Sequence, residues 1–66
     1  MVNSKIIQVI VNILLKEPTE AYKVSNKLLG LGFPSEQISL TLDALIEDDQ
    51  IKVDENWKLY LNPPLE

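Results

Sequence analysis

The carboxylates of Asp43, Glu47, Asp48 and Asp49 are the residues grouped closely enough to suggest chemistry, either a bound Mg²⁺ or Ca²⁺ or a catalytic acid–base pair. A calcium loop needs oxygen ligands at fixed positions over about 12 residues, and that spacing is absent. Consecutive carboxylates on a helix also point in different directions, so the group reads as charge rather than as a chelate. No concave site is implied for a catalytic pair. Gly30-Leu31-Gly32 is too short for a loop that cradles phosphate. Composition excludes most of what remains. The chain has no Cys, His or Arg, which removes thiolate nucleophiles, imidazole bases, disulfides and the ligand sets of zinc, haem and iron–sulfur centres. Catalytic residues, a cofactor, a metal and a small-molecule substrate are all not expected.

The elements that carry these residues must fit into one small domain of 66 residues. At that size folding buries only ~60% of the surface the unfolded chain exposes, so the fold depends on packing or on self-association. Hydrophobic content of 45% and charged content of 24% fit a globular chain and argue against disorder. The longest apolar-rich stretch, Ile6 to Leu15, is too short to span a bilayer, so no membrane partner and a cytoplasmic location are expected. The closing pair Leu65-Glu66 matches what a cloning junction commonly leaves.

Residues 4–16 are rich in β-branched side chains, which favours a strand. Lys5, Gln8, Asn12 and Lys16, however, draw a single polar stripe at helical spacing, and the segment is expected as a first helix, capped by Asn3 or Ser4 and stopped by Pro18. Thr19 offers the cap of a second helix with Ala21, Val24 and Leu28 inward and Gly30 as its left-handed terminator. Ser35 offers the cap of a third, with Ile38, Leu42, Leu45 and Ile46 inward. The period then changes to two. Ile51-Lys52-Val53 and Trp57 to Leu61 read as the strands of a hairpin joined by Asp54-Glu55-Asn56, a turn without glycine, and Asn62-Pro63-Pro64 ends the second strand.

Three helices followed by a hairpin, with Ile38 to Ile51 running from helix into strand and Trp57-Lys58-Leu59-Tyr60-Leu61 returning, resembles the winged-helix family over about residues 3–62. The resemblance implies an α+β domain of three helices and a two-stranded wing, whose third helix and wing commonly engage DNA. Gln50 stands where the family usually has a glycine. Among its members the Z-alpha domains, which bind left-handed DNA, are similar in size and in the wing tryptophan. Their nucleic-acid-binding asparagine and tyrosine fall at Ser39 and Asp43 here, so that activity is not implied.

Charge is divided unevenly. Residues 1–34 carry Lys5, Lys16, Lys23 and Lys27 against Glu17 and Glu20, a net of +2. Residues 35–56 carry seven carboxylates against Lys52, a net of −6, within a total of −4. The helix and wing that would face DNA are therefore the acidic ones, and phosphate contact there is disfavoured. Glu36, Asp43, Glu47, Asp54 and Glu55 instead form an acidic face suited to a basic partner. The first helix carries more apolar residues than the roughly 100° stripe a surface helix buries, with Val9 and Ile13 on one edge and Val11 and Leu15 on the other. Val9, Val11 and Leu15 are expected to dock a protein partner or a second copy. Leu40 is a further apolar residue off the inward stripe of its helix. The alternative is a nucleic-acid-binding regulator that uses a non-standard face, drawing on Lys23, Lys27, Gln37, Ser39 and Thr41.

Overall fold

In the first segment the polar stripe prevails over β-branched propensity: in the computed structural model, which describes residues 3–62, Ser4–Lys16 forms helix α1. Ile6, Ile10 and Leu14 stack every fourth residue on its buried face. The cap is Asn3, whose Oδ1 accepts the N–H groups of Lys5 at 2.9 Å and Ile6 at 3.4 Å. Glu17 turns extended ahead of Pro18 and ends the helix.

Thr19–Glu20 then forms a short strand, β1, rather than the start of a helix. This corrects two expectations at once. Thr19 does not cap the second helix; its hydroxyl donates to the Glu17 carbonyl at 3.1 Å. The sheet also has three strands, not two, because β1 pairs with a strand from the end of the chain. Two residues show no period, so nothing in the sequence marked them as a strand. Helix α2 spans Ala21–Gly30 with Val24 and Leu28 buried, and Glu20 occupies its N-cap position without a side-chain bond.

The left-handed residue that ends α2 is Gly32 (φ 95°), not Gly30. Gly32 N–H reaches the Leu29 carbonyl at 3.0 Å and Phe33 N–H the Leu28 carbonyl at 3.2 Å, the paired bonds of a Schellman stop. Phe33 packs against the core. Helix α3, Ser35–Glu47, starts one residue earlier than expected, with Pro34 in the N-cap position, and Ser35 makes no capping bond. Its buried residues are Ile38, Thr41 and Leu45. Ile46 is 37% exposed, against the inward position expected of it. At the far end Asp49 N–H bonds the Ile46 carbonyl and Gln50 N–H the Leu45 carbonyl. This is a second Schellman stop, with Asp49 (φ 59°) where α2 has glycine.

Strands β2 (Ile51–Val53) and β3 (Lys58–Leu61) pair antiparallel, Ile51 opposite Leu61 and Val53 opposite Leu59. β1 joins the other side of β3, with Thr19 opposite Leu59 and Glu20 opposite Lys58, so the order is β1-β3-β2. The turn between β2 and β3 is closed by Trp57 N–H on the Asp54 carbonyl at 3.1 Å, and Trp57 itself is left-handed (φ 63°). Such a loop usually places glycine there. Trp57 is therefore outside the strand and 72% exposed, not packed inward with Leu59 and Leu61. Pro63, Pro64 and the Leu65-Glu66 pair lie outside the described residues.

The core comprises Ile6, Ile10, Leu14, Val24, Leu28, Ile38, Leu45, Ile51 and Leu59. α1 lies on the central strand β3, α3 meets β2, and the three helices pack on one another.

Candidate docking site

The two edges of α1 have different fates. Val9 and Ile13 lean toward α2 and are partly buried against the core. Val11 is half-buried but is not among the described side chains that pack on the core, and Leu15 is 49% exposed. Val11 and Leu15 are one helical turn apart, so they form a single apolar edge. Its end borders a hollow of about 190 Å³ lined by Leu15, Pro18, Tyr60 and Leu61. The structure thus brings Val11 and Leu15 together and places Val9 on the opposite side.

Val9 lines a groove of about 390 Å³ between α1 and α2, together with Asn12, Ile13, Lys16, Glu17, Thr19, Lys27 and Leu31. Its apolar part is Val9, Ile13 and Leu31, the last 57% exposed. Of the lysines, only Lys23 and Lys52 form ion pairs among the described residues, with Glu20 at 3.3 Å and Asp49 at 3.4 Å. Lys16 and Lys27, which line the groove, are not in an ion pair among the described residues. Lys23 has its pKa raised above 10.5, chiefly by its hydrogen bond to Glu20 and then by that carboxylate's charge. It is paired with Glu20 at its own helix start and remains exposed to solvent.

On α3, Glu36, Ser39, Leu40, Asp43 and Glu47 are all exposed, so the acidic face carries an apolar side chain at its centre. Gln37 is half-buried. Thr41 leaves the set of candidate nucleic-acid contacts: it is fully buried, and its hydroxyl accepts Asn3 N–H at 3.4 Å. Asp54 is also half-buried and is occupied by the turn, its Oδ1 accepting Asn56 N–H at 2.8 Å and Lys58 N–H at 2.9 Å. Of the two turn carboxylates assigned to the acidic face, only Glu55 is exposed and without such a task. Among the described residues no three acidic side chains converge on a spacing that could hold a cation, and no helix is long and apolar enough to cross a membrane.

Sequence reasoning missed the exposure of Trp57 and Tyr22, which stand 72% and 59% open to solvent. A signal existed for Trp57. A three-residue turn lacking glycine forces another residue into the left-handed region, and the side chain there leaves the strand's alternation. For Tyr22, the second residue of α2, the inward positions Ala21, Val24 and Leu28 already place it off the buried face. Compared with protein-family models, curated proteins and solved structures, the chain finds no match in any of the three.

Proposed function

We propose that the chain is a non-enzymatic interaction module of the winged-helix type, docking a partner protein or a second copy through the Val11–Leu15 edge of α1. The observation that carries this reading is that Leu15 is exposed and Val11, half-buried, is not among the described side chains packed on the core. In a domain this small, apolar surface withheld from the core is costly unless something else covers it. The order of three helices and then a hairpin supports the winged-helix assignment, and β1 adds to the free side of β3 without disturbing that order. The exposed carboxylates of α3 around Leu40 supply a second face, suited to a basic partner. The nucleic-acid reading draws less support, because Thr41 is buried and the exposed charged residues around Ser39 on α3 are acidic.

Val11→Asp and Leu15→Asp test the reading in sedimentation and in affinity recovery of partners, with far-UV circular dichroism as the control for folding. Both variants should stay folded and lose the partner, or the self-association made through this edge, that the wild type shows. A monomeric wild type whose recovered partners are identical to those of both variants would falsify it.

A further inference from the structure

Trp57 is the only tryptophan in the chain, and its indole is displayed rather than packed. Its backbone is held left-handed at both ends: its N–H donates to Asp54 and its carbonyl accepts the N–H of Ala21 at 2.9 Å. A bulky residue in this conformation carries strain that glycine would avoid, and the core gains nothing from its side chain. Tryptophan is also the side chain most enriched among those that anchor protein interfaces. Glu55, two residues before it, is exposed as well.

The α1–α2 groove has the complementary chemistry. Val9, Ile13 and Leu31 provide apolar surface, and its size falls at the lower end of the ~300–1,000 Å³ range of pockets that take ligands. Lys16 and Lys27, free of ion pairs among the described residues, outnumber Glu17 and provide net positive charge. An ammonium group attracts both a carboxylate and the face of an indole.

We propose that the groove's occupant is a second copy of this chain: Trp57 of each copy enters the α1–α2 groove of the other, with Glu55 directed to Lys16 and Lys27. Because each copy offers both the side chain and the groove, the exchange is reciprocal and closes as a two-fold dimer. Each indole buries on the order of 150–250 Å². A stable interface needs about 800 Å² from each partner. Two such insertions, with the flanking surface, therefore give a weak dimer that forms at high concentration. The contact is separate from the Val11–Leu15 edge and stands or falls without it.

As the sole tryptophan, Trp57 reports its own burial. Its fluorescence should shift to shorter wavelength, and acrylamide should quench it less, as concentration rises from low micromolar to near millimolar. Sedimentation should show dimer formation over the same range, weakened by added salt. Trp57→Gly should fold and lose the salt-sensitive association seen over this range. Leu31→Asp, and Lys16→Glu combined with Lys27→Glu, should keep the fold while losing the shift; Val11→Asp should retain it. Emission that is independent of concentration in a monomeric wild type overturns the proposal. So does a concentration-dependent emission shift that survives in a folded Leu31→Asp variant, or one lost in a folded Val11→Asp variant.

Discussion

The carbonyl of Trp57 accepts the N–H of Ala21 at 2.9 Å, so the hairpin turn serves as the cap of α2. A helix start leaves backbone N–H groups without partners, and here no side chain at Glu20 or Thr19 fills that role. The fold needs Trp57 for its backbone and its φ, not for its indole.

Replacing the side chain should therefore be tolerated where the conformation is not. Trp57→Gly is expected to leave stability unchanged or raise it by up to about 1 kcal/mol, the left-handed strain being relieved against a larger loss of chain entropy. Trp57→Pro cannot adopt φ 63° and loses the N–H that closes the turn, a cost of ~3 kcal/mol or more that should unfold so small a domain. Urea denaturation followed by far-UV circular dichroism separates the two.

The two helix stops make a second comparison. Asp49 occupies the position that Gly32 fills at the end of α2, and it also places negative charge at a helix C-terminus. Asp49→Gly should stabilise by about 0.5–1 kcal/mol, since the exposed pair with Lys52 that it sacrifices is worth little. The midpoint of thermal unfolding should rise by several degrees; a fall would show that the Lys52 pair matters more than backbone strain.

Capping gives a third. Asn3→Ala removes both bonds to the first turn of α1 and should cost about 1 kcal/mol. Ser35→Ala should change stability by less than about 0.5 kcal/mol, because Ser35 lies inside α3 and caps nothing. Chemical denaturation of both variants under one condition gives the contrast directly.

Alkaline pH should reveal the Glu20–Lys23 pair. Its raised lysine pKa means that the pair's contribution is complete below the unfolded value of 10.5 and is lost as pH rises through the higher folded one. Thermal midpoints of the wild type and Glu20→Gln should differ slightly at neutral pH and low salt. They should converge with added salt and above pH 10.5, the solvent-exposed pair being weak to begin with.

The helices were legible because Lys5, Gln8, Asn12 and Lys16 impose a period that propensity alone would have hidden. Thr41 is polar, which suggests the surface, although its methyl suits the core stripe of Ile38 and Leu45 and its hydroxyl has a backbone partner. Ile46, more hydrophobic, was displaced outward by that choice of face. The cap of α3 falls one residue before Ser35 because residue type shows where capping is possible, not which backbone angles are adopted there. For the candidate site, the excess apolar width of α1 was visible in the sequence. The separation of Val9 from Val11 and Leu15 depends on where α2 and β3 lie, which no local pattern encodes.

The strand order carries one more consequence. β3 is the last of the three strands along the chain, yet it sits between the other two, and β1 meets it across nearly forty residues. During synthesis neither β1 nor β2 has a neighbour until residues 58–61 emerge, and the N–H of Ala21 waits for Trp57. The helices can form early on local contacts, but the sheet cannot assemble piece by piece behind the ribosome. A nascent chain stopped short of Leu59 would therefore be an unfinished fold with an exposed core, not a smaller version of the finished one.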